Sequence, residues 1–521
     1  MSDLNAELDD ARDKDLAARP LVLLLAAPVM ASAAGGMGWG IRGQYGHEWG
    51  AMVPGVLVAF TLVFLFSRRS TSLHAARAVA LAAVGFSFGG VMTYGQTVGL
   101  THDHELVGNS DAYAWGMIGL FLKGGLWIGF GGLFLGIGLG GKKYRTKEML
   151  TVYAAMLLLV FVGIQLLNRP YIPDVTSSAR ALPSIYFSDH WEWEPNNLTM
   201  KPRRECWGGL LAAFAGLIAY VWFVKKDKLA RNLAGVGALA GGCGFTLGQS
   251  LQARHQWTPG WLNEFDLSLH NALPSLFPEQ FFSLMGWNWW NMMETSFGLV
   301  MGFLLGLGFW FNRHLVAAGE SDDKAEIAPT LDWILLAIYA CMVALWGAVR
   351  LDEIKELEWL TVFTDFPFAM GLLPVVCILG GRYFPYMVSL PIIAVPIAGI
   401  TLKVTDGEHM VTDTFVRLIA PLAVMTWVAT SLERHGRRGQ SGRTFTRWGL
   451  IASAFMYYSL NFAFFGFPWT VTQAGRHTND WIFLRCAELL IFGALVLARR
   501  YREETVTKAR TEFNPTVQTS D

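Results

Sequence analysis

Long apolar runs constrain this sequence more than any other feature. A helix needs roughly 20 apolar residues to cross about 30 Å of hydrocarbon, and the 521-residue chain offers fourteen segments near that length. Only 16% of the residues are charged and 53% are hydrophobic, whereas a soluble domain usually carries about 25% charge. We therefore expect an all-α, polytopic transmembrane helix bundle of about fourteen spans. The spans are predicted near 21–39, 50–66, 77–99, 115–140, 149–167, 207–224, 232–249, 290–311, 331–349, 361–380, 384–401, 415–431, 448–468 and 481–498.

Basic residues are distributed unevenly among the loops that connect these spans. If the N-terminus is cytoplasmic, the cytoplasmic loops hold 18 Lys and Arg in 63 residues, and the outer segments hold 11 in 132. Cytoplasmic loops carry an excess of Lys and Arg, so we expect both termini in the cytoplasm, in a plasma membrane or bacterial inner membrane. The chain then comprises an acidic tail (1–19), a bundle (20–499) with a repeat-containing part (20–311) and a second part (331–499), and a C-terminal tail (500–521).

The first span also resembles the apolar core and cleavage site of a secretory signal peptide. The segment before it carries six acidic residues against three basic ones, and the apolar stretch continues beyond the candidate cleavage site. Both features favour a span that is retained.

A glycine-rich pattern occurs three times in the first part of the bundle. The copies are "GGMGWGIRGQ" (35–44), "GGVMTYGQ" (89–96) and "GGCGFTLGQ" (241–249), and each is followed by another glycine-rich span. All three face the same way in the predicted topology, which is typical of parallel repeats related by an axis along the membrane normal. We expect helix pairs within 35–66, 89–140 and 241–311 to superpose.

These glycines have two alternative roles. Small residues spaced four apart let helix backbones pack closely in membranes. The Gly-Gln ends also combine relaxed backbone limits with carbonyl groups that a helix end leaves unpaired and an amide side chain. Gathered around one axis, such ends would form a polar cup for a neutral, hydroxyl-rich or zwitterionic solute. The residues expected to contact this solute are Arg42, Gln44, His47, Glu48, Gln96, Gln249 and Trp290.

Charged residues within predicted spans cost a few kcal/mol each unless they are paired or hydrated, and three of them are candidates for a gate or coupling role. The glycine patterns align Lys123 with Glu294 to within about one residue, so we expect the two to form a buried pair. This pair would either fix helix register or act as a gate. Asp365, beside proline-interrupted spans, is the alternative coupling residue.

Other kinds of chemistry lack sequence support. Zero net charge and the absence of a basic stripe argue against nucleic acid as a partner, and no P-loop, HExxH or nucleophile-elbow motif is present. The five cysteines form no metal-binding pattern, so neither a metal nor a cofactor is expected.

The leading hypothesis is a secondary transporter or permease for a small polar, carbohydrate-like solute, with the lipid bilayer as its other partner. One alternative is a membrane-embedded glycosyl- or acyltransferase that uses the acidic, Trp-rich outer segments 168–205 and 250–287. A non-transporting scaffold is the second alternative.

Overall fold

The computed structural model shows a helical protein, with no β-strand among the residues it describes. These are residues 20–317 and 411–513, except 44, 46–47, 68–69, 172–180, 189–192, 194–201, 277–278, 281, 284–285, 413–414, 438–440 and 466–476, together with a few positions between 328 and 341. Side chains at some further helical positions are also left undescribed.

Thirteen α-helices make up the described part of the chain. They are α1 (Pro20–Arg42), α2 (Glu48–Phe66), α3 (Ser72–Gly89), α4 (Gly95–His102), α5 (Ser110–Leu139), α6 (Thr146–Leu167), α7 (Trp207–Ala219), α8 (Lys228–Trp257), α9 (Trp261–Ala272), α10 (Trp289–Asn312), α11 (Ala420–Arg437), α12 (Gly442–Phe465) and α13 (His477–Phe513). A π-helical turn, Tyr220–Val224, continues α7.

Six helical segments in the described part are long and apolar enough to cross a membrane, as expected of an integral membrane protein. The shorter apolar helix Gly50–Phe66 accompanies them. The six segments are Leu21–Arg42, Ser72–Gly89, Ser110–Leu139, Thr146–Leu167, Trp207–Val224 and Trp289–Leu315. The predicted spans 361–380 and 384–401 lie outside the described residues, as does most of 331–349.

Six helices form a closed ring. Helix α1 packs on α2, α2 on α3, α3 on α5, α5 on α8, α8 on α10, and α10 returns to α1. Outside the ring, α12 packs against α2 and α3, α13 against α1 and α12, and α6 pairs with α7. The long helices of the ring thus come from the regions of the three glycine-rich copies, although α3 shares only Gly89 with the predicted segment 89–140.

Glycines set the close approach of helices at two joints of the ring. A Cβ atom on Gly298 of α10 would overlap the carbonyl oxygen of Gly35 of α1, and a Cβ on Gly124 of α5 would overlap that of Gly241 of α8. The α1–α10 contact recurs one and two turns further along α10. At these positions the backbones themselves touch, which only small residues permit.

Candidate functional site

A layer of aromatic side chains fills the middle of the ring. Trp39 of α1 lies 5.0 Å from Trp127 of α5 and 4.4 Å from Phe297 of α10, measured between ring centroids. Phe245 of α8 stacks on Phe297 at 4.9 Å, and Tyr94, between α3 and α4, lies 5.2 Å from Phe245. All five side chains are buried. Side chains from all three glycine-bearing segments therefore form one aromatic layer. We call these five residues the aromatic floor.

A buried ion pair lies on this floor. Arg42, the last residue of α1, donates from Nη2 to Glu294 Oε1 of α10 at 3.1 Å and to the Tyr94 hydroxyl at 2.6 Å. The Tyr94 hydroxyl in turn donates to Glu294 Oε1 at 3.2 Å. Asn291 donates from Nδ2 to the Gly40 carbonyl oxygen at 2.6 Å. We call Arg42, Tyr94, Asn291 and Glu294 the Arg42 cluster; each is at most 4% exposed.

The floor also stabilises the positive charge of Arg42. Its guanidinium carbon lies 5.0 Å from the ring centroid of Trp39, 5.1 Å from Trp127 and 5.5 Å from Tyr94. Aromatic faces attract a cation, and the attraction strengthens where water is excluded. The carbonyl groups at the end of α1 favour a cation at the same place. Arg42 therefore remains charged in the ring interior by virtue of one carboxylate and three aromatic faces.

Glycines make room for this cluster. A Cβ atom on Gly43 would overlap the carboxylate of Glu294, and a Cβ on Gly40 would lie 2.6 Å from Thr295 Oγ1. The glycines that flank Arg42 in the sequence thus allow α1 to end directly against α10.

Two buried amide oxygens on α8 accept no hydrogen bond within the described structure. Gln249 donates from Nε2 to Thr101 Oγ1 at 2.7 Å, and Gln252 Nε2 lies 3.3 Å from His102 Nε2. Because the Thr101 hydroxyl donates to the Val98 carbonyl, it accepts from Gln249, which fixes the orientation of that amide. The Oε1 atoms of both glutamines have no partner, although the residues are 0% and 5% exposed. They therefore present two acceptors one helical turn apart.

Trp290 lies at the edge of this region and is 39% exposed. Its ring centroid is 6.2 Å from that of His102, and Trp257 donates from Nε1 to the Thr101 carbonyl oxygen at 2.8 Å. An accessible indole thus borders the end of α4 and the two glutamines of α8.

Lys123 belongs to a second buried cluster. Its ammonium group donates to Thr97 Oγ1 at 2.8 Å, to Ser188 Oγ at 2.9 Å, and to Glu205 Oε1. Glu205 also accepts from Ser188 Oγ at 2.6 Å and, through Oε2, from the Phe187 N–H at 3.1 Å. The three protons of the ammonium group all have acceptors, which is characteristic of a structural ion pair. It anchors the segments 181–188 and 202–206 to α5.

The predicted pair of Lys123 and Glu294 is wrong. Lys123 binds Glu205 and Glu294 binds Arg42. Lys123 immediately precedes Gly124, whereas Glu294 lies four residues before Gly298, and these two glycines make the equivalent contacts with neighbouring helices. The two charges are thus three residues out of register, about five-sixths of a helical turn. They face different surroundings, and the gate hypothesis for this pair falls with it.

The remaining predicted site residues are only partly described. Gln96 accepts from the Arg203 N–H at 3.2 Å, so its contact is with segment 202–206, whereas Gln249 contacts α4. Glu48 begins α2, but its side chain is not described. Gln44, His47 and Asp365 lie outside the described residues. A cup shared by the three Gly-Gln ends stays a prediction.

Sequence reasoning missed Tyr94, Asn291, Glu205 and Gln252. Tyr94 lies inside the second glycine-rich copy, two residues before Gln96. Its position in that copy is the sequence feature that could have identified it as a site residue. Glu205 lies 82 residues from Lys123, in a segment predicted to be a connection between spans, and no periodicity connects the two.

Comparisons with protein-family models, with curated proteins and with solved structures found no match to this chain. Within the described ranges, no group of three or more His, Cys, Asp or Glu side chains could hold a metal ion.

Proposed function

We propose that this chain is a secondary transporter or permease for a small polar solute. The observation that carries the proposal is the Arg42 cluster, a buried ion pair inside a ring of apolar helices. Charged groups within a membrane bundle are costly, and they commonly mark substrate or ion pathways. The pair joins the end of α1 to α10, so breaking it would remove a polar link at one joint of the ring.

The repeat hypothesis is part of this proposal. Three parallel helix pairs, α1 with α2, α3 with α5, and α8 with α10, would surround a pseudo-threefold axis. The closed order of packing and the matching glycine contacts of Gly35 with Gly298 and of Gly241 with Gly124 support it. About fourteen spans and two cytoplasmic termini remain the proposed topology.

The side chains around the floor favour a neutral solute that is rich in hydrogen-bond donors. Arg42 balances the charge of Glu294, so an additional net charge on the solute would have no counterion in the cluster. The amide oxygens of Gln249, Gln252 and Asn291 have no partner in the described structure. Buried acceptors need donors, which the hydroxyl groups of a polyol or sugar supply. Trp290 offers an apolar face of the kind on which a sugar ring packs.

The Arg42–Glu294 pair replaces Lys123 and Glu294 as the proposed gate. Donor groups on a solute would compete with Arg42 and Tyr94 for Glu294 Oε1. A solute that binds one arrangement of the ring better than the other shifts the population between them. The aromatic floor would then close one side of the site while the other side is open.

A direct test is uptake by proteoliposomes that contain the full-length protein. A panel of polyols, monosaccharides, amides, amino acids and organic acids would first be screened by thermal shift, and compounds that stabilise the protein would then be assayed for uptake. We expect a neutral polyhydroxylated or amide compound both to stabilise the protein and to accumulate in the vesicles. Binding without uptake by any compound would contradict the proposal. Transfer of a sugar or acyl group from a lipid-linked donor would favour the transferase alternative, and inactivity in all assays would favour the scaffold.

A further inference from the structure

A groove of about 570 Å³ lies between α1, α10 and α13, outside the ring. Along α13 its wall runs from Thr478 to Leu489, which corresponds to about 16 Å of helix at 1.5 Å per residue. One leaflet contributes about half of the 30 Å hydrocarbon core. The groove is therefore as long as one leaflet is deep.

The two ends of the groove differ in character. Trp287, Trp481 and Thr478 line one end, and Trp side chains concentrate at the level of lipid headgroups. Val29, Phe303 and Leu489 line the other end and are 48%, 44% and 37% exposed. The groove thus runs from an interfacial end to an apolar end, as a lipid molecule does.

Arg485 projects at the side of this groove, one turn beyond Trp481. Its side chain is 65% exposed, and Nη1 donates to Glu488 Oε2 at 2.6 Å. Its guanidinium carbon lies 5.3 Å from the Trp481 ring centroid. A guanidinium group has five N–H donors, and in the described structure only one of those of Arg485 is used. Within the predicted span 481–498, an exposed charge is costly unless it is paired or hydrated, and Glu488 occupies only one of these donors.

We propose that this groove is a specific phospholipid-binding site. The phosphodiester group would accept hydrogen bonds from Arg485, whose planar donors suit phosphate oxygens. One acyl chain would lie along the groove towards Phe303 and Leu489. This site is separate from the Arg42 cluster, and the inference does not depend on the proposed transport function.

The test uses the full-length protein in phosphatidylcholine nanodiscs doped with phosphatidylglycerol that carries a photoreactive group near the end of one acyl chain. After illumination, cross-linked peptides are mapped by mass spectrometry. We expect cross-links concentrated on α10 and α13 near Phe303 and Leu489. Cross-links spread evenly over the lipid-exposed surface, including the exposed Leu239 of α8, would overturn the proposal. So would their absence from the groove, which would indicate that a protein segment or a second copy covers it.

Two matched pairs of variants test the roles of the guanidinium group and of the apolar end of the groove. Arg485→Gln is expected to lower the groove cross-link yield about tenfold, the size of one charge-assisted hydrogen bond, whereas Arg254→Gln, at an exposed arginine of α8, leaves it unchanged. Leu489→Trp fills the apolar end and is expected to lower the yield, whereas Leu239→Trp is not. Equal yields from Arg485→Gln and the unsubstituted protein would overturn the role of the guanidinium group.

Discussion

At the scale of single residues, the buried charged side chains of Lys123 and Arg42 lie in different surroundings. Lys123 has every proton bound by an oxygen and lies among segments that fold onto α5. Arg42 shares one carboxylate oxygen with a tyrosine hydroxyl and lies against three aromatic rings. The first arrangement fixes the fold, and in the proposed function a donor on the solute rearranges the second.

The Arg42–Glu294 pair makes a prediction about stability. Arg42→Met and Glu294→Leu each leave the other charge buried without its partner, so each is expected to lower the free energy of unfolding by about 3–5 kcal/mol. The double variant, which removes both charges, should recover most of this loss. Denaturant unfolding in detergent measures the effect. Lys225→Met is the control, because Lys225 and Glu148 are partly exposed and such pairs contribute about 1 kcal/mol or less. A double variant as unstable as the sum of its singles would contradict the pairing.

A double-mutant cycle tests the assignment of Lys123. Lys123→Met combined with Glu205→Gln should show a coupling free energy of about 1 kcal/mol or more, since contacting residues couple by 0.5–3 kcal/mol. Lys123→Met combined with Glu294→Leu should be additive within about 0.5 kcal/mol. Strong coupling in the second cycle would restore the pair that the sequence suggested.

At the scale of helices, the sequence predicted positions well and side-chain partners poorly. Five of the six membrane-length segments closely match predicted spans because length and hydropathy are local properties. The sixth, Ser72–Gly89, ends ten residues before the predicted span 77–99 does, because the chain leaves the helix after Gly89 and forms the separate short helix α4. The Gly-Gly pairs at 35–36 and 241–242 lie at helix contacts, as the packing role requires. The partner of Lys123 was not predictable, because it depends on how segment 202–206 folds onto the bundle. A slip of three residues in aligning Lys123 with Glu294 also misplaced the charges by about 4.5 Å along the helix axis.

Two glycines of α8 provide a matched test of helix packing. A Cβ atom on Gly241 would overlap a backbone oxygen of α5, whereas a Cβ on Gly235 would have no atom within 4 Å. Gly241→Ala is therefore expected to destabilise the protein by about 1–3 kcal/mol. Gly235→Ala should be neutral or stabilise it by up to about 1 kcal/mol through helix propensity. Equal unfolding free energies for the two variants would show that α5 and α8 do not touch at Gly241.

Helix α9 makes a prediction about pH. Asp266 accepts hydrogen bonds from the N–H groups of Phe282 and Ser283 at 2.8 and 2.7 Å. Burial raises the pKa of this carboxyl group, but hydrogen bonds from the two backbone N–H groups and from the Ser283 side chain together outweigh burial, and the net pKa lies below its usual value. Its contribution to stability is thus complete above the unfolded pKa of about 4 and is lost as pH falls through the lower folded pKa.

Thermal unfolding of the unsubstituted protein and of Asp266→Asn measures this contribution. The difference in Tm should be constant between about pH 5 and 7 and should begin to shrink below about pH 4, where the unfolded chain takes up a proton that folded Asp266 does not. It should be smallest below the lower folded pKa, where Asp266 is neutral in both states. A difference that does not change down to the lowest accessible pH would contradict the role of the carboxylate.

At the scale of the whole molecule, the ring joins the three glycine-bearing segments around one aromatic floor and one ion pair. Its closed packing order was not evident from the sequence, because no local pattern specifies that α10 returns to α1.

The double variant Arg42→Met, Glu294→Leu offers the most direct test of the proposed function, because it is expected to be folded but to lack the gate. Proteoliposomes that contain equal amounts of unsubstituted or double-variant protein would be compared for initial uptake of the solute identified by screening. We predict rapid uptake by the unsubstituted protein and uptake at the level of empty vesicles for the folded double variant. Undiminished uptake by the double variant would contradict the account and leave the pair a purely structural role.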